Sequence, residues 1–375
     1  MPRPRLNLLL LAQTPPPHHG QSRMVQRVQE ALAGAPDVRL HHVNLRLSTT
    51  SEEIGEPQGR KLWALLQCLW TALQVIRRER PDAFYYVPAP GRAVPMLRDL
   101  LVLPVVRALV PQTILHWQAV GLSQRVRQLP APLRWLFRAL YARADLSLVQ
   151  SPGTGFDAAY FASRRTVVLP NGVPDAFPDA AAVIAAREQR SADPDRPLEL
   201  LYLSNLQREK GVLTAIAAAH RLAEHRPVRL RLAGAYVSGQ EREAIEAACQ
   251  APGLAQVERL GFADEATKRE LLREADVLLF PTRYRNEGFP LVLIEALSAG
   301  LPVVTTHWRG IPDLLPPDYP HFVPDQSPAT TAAAVESLLA APRGDLMRQL
   351  RAHYARHYTV ASFRDGLRTA LEAIP

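Results

Sequence analysis

The chain has 375 residues, 47% hydrophobic and 21% charged, a globular composition with length for two domains. Its net charge of +8 is lopsided: residues 1–180 hold 21 Arg/Lys against 12 Asp/Glu, while residues 181–375 hold 23 against 24. An acidic partner is therefore expected on the N-terminal half. Cys68 and Cys249 stand far apart with no CxxC or His/Cys cluster, which excludes a disulfide framework or structural zinc site and fits a reducing cytoplasm.

Arg3 and Arg5 precede the apolar run Leu6–Ala12. The run is short for a secretory signal and lacks a small-x-small cleavage site, so it reads as a first parallel strand covered on both faces. A proline-rich loop, Gln13–Ser22, passes Gly20 just before a helix expected over Ser22–Leu32. Gly20 permits close backbone approach to a ligand, but no GxGxxG dinucleotide fingerprint is present. Leu62–Ile76 is a mostly apolar helix bracketed by Arg60, Lys61, Arg77, Arg78 and Arg80. It is shorter than the ~20 residues a bilayer span needs, so it reads as a core or interfacial helix. Asp99–Pro111, broken by Pro104 and Arg107, and Leu133–Arg143 are similar arginine-bearing helices. Together with the basic half they point to peripheral contact with an anionic membrane.

Phe84–Val87, Gln112–Trp117, Leu146–Gln150 and Thr166–Leu169 read as short strands between helices, which implies βαβ units and a parallel sheet. His116 stands at a strand end, where open α/β sheets bind ligands. The pairs His18/His19 and His41/His42 lack metal-ligand spacing and read as solvated. Asp175–Pro197 has linker composition, with at most one short helix. The pattern then restarts: strands Leu198–Ser204, Val228–Ala233, Val257–Leu260, Ala275–Phe280 and Pro302–Thr306 alternate with helices over Val212–His225, Glu241–Cys249 and Glu265–Glu274. A last helix, Val360–Ala373, follows a polar segment and is expected to pack back across the linker.

Two segments hold the chemistry. Phe280–Gly300 runs from a strand through a polar loop into a helix starting near Pro290, a residue favoured in a first helical turn. The free amides of that turn, with the helix dipole behind them, make an anion cradle. Glu287 and Glu295 flank the cradle, an arrangement suited to a sugar attached to phosphate. The second segment, Ser204–Val212, contains Lys210, one of three lysines among 44 basic residues. A compact cation just before Gly211 and a helix start suits a phosphate.

These segments resemble the donor-site motifs of the family 4 retaining glycosyltransferases. The matching pieces are Glu-x7-Glu (Glu287 to Glu295), Gly288-Phe289-Pro290-Leu291, the Ser-Ala-Gly-Leu-Pro-Val-Val continuation, Glu209-Lys210-Gly211 and Pro170-Asn171-Gly172-Val173. The resemblance is strong over 200–310 and weaker over 1–170. It implies an α/β GT-B architecture: two Rossmann-like, doubly wound parallel-sheet domains facing across a cleft, with the C-terminal helix packing back on the first. The expected segments are 1–178 for the acceptor, 198–355 for the nucleotide sugar, and 356–375 for the returning helix.

The resemblance also implies roles. Glu287 contacts the donor sugar, and His116 lies near the sugar and acceptor. Amides around Gly288, Phe289, Pro290 and Leu291 (proline itself having none) cradle the diphosphate. Glu295 holds the ribose, Lys210 neutralises the leaving group, and Gly20 lets the first domain's loop close over the donor. Gly261 and Phe262 fall where the base packs. Many members carry Gly-Arg-Leu where this chain has Ser204-Asn205-Leu206, so a donor-binding arginine is replaced by Asn205; Arg208, Arg283 and Arg285 are candidate phosphate contacts in its stead.

The expected activity is retaining sugar transfer from a UDP- or GDP-sugar to a glycan or lipid-linked acceptor, in envelope or exopolysaccharide synthesis. The expected location is cytoplasmic, at the inner membrane face. No Asp-x-Asp metal motif is read in the chain, so no metal or other cofactor is expected. Two other readings stay open: a GT-B-fold sugar-nucleotide epimerase or phosphorylase, and a non-enzymatic basic protein binding a membrane surface or nucleic acid. The arginines are scattered over helices without aromatic interleaving, which argues against nucleic acid.

Overall fold

A computed structural model describes residues 5–16, 20–45, 59–191, 193, 195–251, 253, 255–372 and 374. Arg3, Pro17, His18 and His19, together with the side chains of Arg60 and Lys61, lie outside the described residues. The chain divides into two compact units, residues 1–172 with 360–375, and residues 173–359.

The first unit opens with β1 (Leu6–Ala12), α1 (Gly20–Leu32), β2 (Val38–Asn44) and α2 (Gly59–Glu79). It continues through β3 (Ala83–Tyr86), α3 (Ala93–Leu109), β4 (Gln112–Trp117), α4 (Leu122–Arg127) and α5 (Ala131–Tyr141). β5 (Leu146–Val149), α6 (Phe156–Tyr160) and β6 (Thr166–Val168) complete it. The six strands lie parallel in the order β2-β1-β3-β4-β5-β6. Leu8 to Leu11 of β1 are fully buried, because helices cover both faces of a parallel sheet and leave its central strand no wet side.

β2 was not legible as a strand. It is an edge strand with one buried residue, so its pattern offers no apolar alternation. His41 and His42 are half-buried in it rather than solvated: His41 Nε2 lies 2.9 Å from Asn7 Oδ1, and His42 Nε2 lies 3.0 Å from the Ala12 carbonyl. Burial lowers the pKa of both rings. α3 is one helix through Pro104, starting earlier than the sequence suggested; the proline removes one backbone donor. Within it Asp99 is wholly buried and accepts hydrogen bonds from the Tyr86 and Tyr141 hydroxyls, the Ala89 amide and Arg98 Nε at 2.6–2.8 Å. α2 is longer than the sequence suggested. No helix among the described residues is long and apolar enough to cross a membrane.

The second unit begins with α7 (Ala180–Ser191), β7 (Leu198–Leu203), α8 (Val212–Leu222), β8 (Val228–Ala233) and α9 (Gly239–Gln250). β9 (Gln256–Gly261), α10 (Glu265–Glu274), β10 (Val277–Phe280), α11 (Leu291–Ser298) and β11 (Val303–Thr306) follow. α12 (Ile311–Leu314), β12 (Phe322–Val323), α13 (Pro328–Ala340) and α14 (Gly344–His357) close the unit, and α15 (Val360–Leu371) returns to pack on α1 of the first. The sheet order β12-β11-β10-β7-β8-β9 is the doubly wound dinucleotide-fold order, with its reversal between β7 and β10. Ligands of such sheets bind where the strand order reverses.

The stretch read as a linker contains α7, which docks into the second unit. Its Arg187 is almost completely buried and donates to the carbonyls of Leu272, Ala275 and Ala299 at 2.8–3.1 Å. These carbonyls end α10 and α11, where helices leave acceptors unpaired and the dipole favours a cation.

Candidate active site

The two loops leaving the strand-order reversal are the β7–α8 turn and the β10–α11 loop. After β7, a short 3-10 turn over Arg208–Lys210 ends at Gly211, whose φ is 86°. A Cβ there would sit 2.3 Å from the Pro281 carbonyl oxygen, so only glycine lets the two loops touch backbone to backbone. The Arg283 amide donates to the Glu209 carbonyl at 2.7 Å, and Gln326 Nε2 bridges the Glu209 and Pro281 carbonyls at 2.8 and 2.9 Å.

That docking brings Lys210 to Glu287. The ammonium lies 3.0 Å from Glu287 Oε2, with the side chains 16% and 11% exposed. The contact is ionic in character, because this buried oxygen receives no aligned hydrogen bond from any described residue. Glu287 thus holds an oxygen with a charge partner and no aligned donor. Lys210 also lies 5.2 Å from the Tyr284 ring centre, which shields the pair from water and strengthens it. Eight residues on, Glu295 Oε1 lies 2.5 Å from Lys268 Nζ, itself 2.9 Å from Glu265.

The helix between these carboxylates starts at Leu291, with Pro290 as its N-cap, one residue later than the sequence suggested. The Phe289 ring packs edge-on against Tyr358 at 5.8 Å; its side chain is core. Gly288 and Pro290 are buried, while Leu291 is half-buried. At the end of β9, Gly261 has a φ of 68° and Phe262 is 65% exposed, a bare aromatic face.

The arginine candidates separate. Arg283 is committed elsewhere: it stacks over Trp308 at 5.1 Å and donates to the Pro324 carbonyl. Arg208 lies 3.7 Å from Glu241. Arg285 is exposed, as is Asn205, whose carbonyl accepts from the Tyr202 hydroxyl at 3.3 Å.

In the first unit, Gly20 is exposed and is itself the first residue of α1. His116 is only 1% exposed, enclosed rather than open at its strand end. The Tyr85 hydroxyl lies 2.5 Å from its Nδ1, and Gln118 Nε2 lies 2.6 Å from its Nε2. Desolvation pulls its pKa down to about 3, so the ring is neutral at physiological pH. Gln150 Nε2 in turn lies 3.1 Å from Gln118 Oε1, leaving half-buried Gln118 as the outward end of the chain.

The sequence profile of the family Glycosyl transferases group 1 matches residues 184–357. A glycogen synthase of Mycobacterium tuberculosis is 30% identical over 300 residues, covering 76% of this chain and 66% of the relative. The chain belongs to the group 1 glycosyl transferases. Another relative, a putative colanic acid biosynthesis glycosyltransferase of Escherichia coli, is 33% identical over 153 residues, 40% of this chain and 36% of its own. Sucrose-phosphate synthase from Thermosynechococcus elongatus superposes over 98% of both chains with a TM-score of 0.74 at 17% identity. HepE from Anabaena, solved with UDP-glucose, superposes over 98% of this chain and 100% of its own, with a TM-score of 0.68 at 16% identity. The fold is GT-B.

This glycosyltransferase holds three polar residues that sequence reasoning missed: Lys268 and Gln326 beside the donor loops of the second unit, and Gln118 beside His116 in the first. Lys268 had a signal, since the scarcity of lysine that drew attention to Lys210 applies to it equally. Gln326 and Gln118 had none: Gln326 bridges two segments remote from it in sequence, and Gln118 links neighbouring His116 to distant Gln150. The chain does contain one Asp-x-Asp triplet, Asp193-Pro194-Asp195, between α7 and β7 and outside both donor segments. Among the described residues no three His, Cys, Asp or Glu are grouped to hold a metal ion.

Proposed function

We propose that this glycosyltransferase moves a sugar, with retention, from a nucleoside-diphosphate sugar to a glycan or lipid-linked acceptor. The observation that carries the reading is the Lys210–Glu287 pair, held at 3.0 Å beside the start of α11. In this reading Glu287 receives sugar hydroxyls, the α11 amides and Lys210 take the diphosphate, and Glu295 exchanges Lys268 for ribose hydroxyls. Phe262 offers its face to the base.

The step breaks the bond between the anomeric carbon and the diphosphate oxygen as the acceptor oxygen bonds to that carbon on the same face. The acceptor's proton passes to the leaving phosphate oxygen. Preorganised amides and Lys210, rather than a metal, stabilise negative charge where it develops. The UDP-glucose in HepE supports a nucleotide-sugar donor, and the colanic acid relative supports an envelope or exopolysaccharide product. A cytoplasmic location at the inner membrane face accords with exposed Trp63, Leu66 and Trp70, which stripe α2 at helical spacing.

A thermal-shift screen across UDP-, GDP- and ADP-sugars tests the donor, because a bound ligand raises stability by mass action. One sugar series should raise the melting temperature of the wild type and not of Glu287→Ala. No shift with any series, or consumption of the nucleotide sugar without an acceptor, overturns the reading.

A further inference from the structure

We infer that a groove on the first unit, between α5 and the end of α6, is a binding site for a phosphate group. The inference goes beyond the transfer reading and does not depend on it. The groove encloses about 570 Å³ and is walled by Arg134, Trp135, Arg138, Arg143, Tyr160 and Phe161, together with four alanines. No acidic residue lines it. From residue 100 to residue 144 the chain has six arginines and no Asp or Glu.

The fold concentrates these charges. The guanidinium groups of Arg127 and Arg138 both lie over the Tyr160 ring, 4.5 and 5.2 Å from its centre. Arg134 reaches the Arg127 carbonyl at 3.5 Å. The flanking carboxylates are engaged elsewhere: Asp145 with Arg164 and the Thr113 amide at 2.8 Å, and Asp157 with the Gly121 and Ser123 amides at 2.7 Å. Cations gathered on one ring repel each other. An anion between them would relieve that repulsion, and a guanidinium fork matches a phosphate's paired oxygens.

Backbone geometry adds a second sign. Arg143 and Ala162, both in the groove wall, are non-glycine residues with φ of 53° and 52°, a conformation that costs energy and concentrates at ligand sites. The Arg143 amide donates to the Phe161 carbonyl at 3.0 Å, which locks the two turns together. At the rim, Trp135 is 72% exposed, an apolar ring beside the charged wall.

A phosphate of this kind can come from a membrane lipid headgroup or from a soluble phosphate ester, and two arms separate these. The full chain is floated with vesicles of phosphatidylcholine alone and with added phosphatidylglycerol; separately, glycerol 3-phosphate is titrated calorimetrically. Each arm is repeated with Arg134→Gln/Arg138→Gln and with a control losing equal charge on the second unit, Arg242→Gln/Arg348→Gln. All four arginines are exposed, and circular dichroism checks folding.

A lipid source predicts flotation only with phosphatidylglycerol, weakened about 30-fold by the groove variant, weakened by Trp135→Ser and unchanged by the control. A soluble source predicts saturable heat with glycerol 3-phosphate that the groove variant abolishes, without vesicle preference. Equal losses in groove and control variants mean attraction by general charge, and overturn the site. So does binding of neither probe.

Discussion

The donor loops of the second unit and the arginine groove of the first handle cations in opposite ways. Lys210 and Lys268 each rest against a carboxylate, Glu287 and Glu295, and the second unit is nearly neutral overall. In the groove, Arg138 shares the Tyr160 ring with nearby Arg127, and no carboxylate lines the wall. A site that keeps its own counter-ions must give them up to its ligand, so it gains selectivity for a ligand offering both hydroxyls and negative charge. A site without counter-ions takes any anion of fitting shape. The contrast matches a nucleotide sugar for the first and a bare phosphate for the second.

The sharpest way to break this comparison is at the pair itself. Glu287→Ala and Lys210→Ala should each reduce sugar transfer about 10³-fold, with circular dichroism unchanged, since each removes a charge placed for the transition state. Full turnover in either variant would remove the donor assignment. Next comes Arg187→Met, which leaves several helix-end carbonyls buried without a donor; urea unfolding should show a loss of about 3 kcal/mol. A loss near zero would mean that α7 is a passenger on the second unit.

A third test concerns His116, the neutral buried counterpart to the charged pairs. Its folded pKa of about 3 lies below the ordinary 6.5. As pH falls below 6.5 the unfolded chain takes up a proton that the folded chain refuses, so stability declines on acidification. The contribution amounts to about 2 kcal/mol by pH ~5 and grows until the folded pKa is reached. His116→Asn should flatten that part of the stability profile by about one proton, while His41 and His42 keep their smaller share. An unchanged slope would show that the ring is not sealed. The smallest effect expected is from Gln326→Leu, which unties the two donor loops: donor affinity should fall about tenfold with under ~1 kcal/mol lost in urea unfolding. Equal losses in both measurements would make Gln326 a structural residue only.

Much of the architecture was legible in the sequence. Parallel strands such as Leu6–Ala12 and Leu198–Leu203 are apolar runs with a single polar residue each (Asn7, Glu199), because both faces are covered, and a run of that kind shows itself without partners. β2 and β12 escaped notice as short or edge strands with little buried surface. α13 and α14 lay in a segment read as merely polar, and α7 lay in a stretch of linker composition that allowed one short helix; its docking was not legible, because its key group is an arginine. Arg187 looks like a surface residue until α10 and α11 end around it.

The sequence by itself determined the donor segment: the spacing of Glu287 and Glu295 about a helix start, and a rare lysine before Gly211, are local features written in consecutive residues. Only the tertiary structure decided which groups meet. It paired Lys210 with Glu287 by pressing Gly211 against Pro281, paired Lys268 with Glu295, turned Arg283 away to Trp308 and enclosed His116 behind Gln118. Apart from Gln118, two positions from His116, such contacts join residues tens of positions apart, and their geometry is set by strand order and packing, which no local pattern encodes.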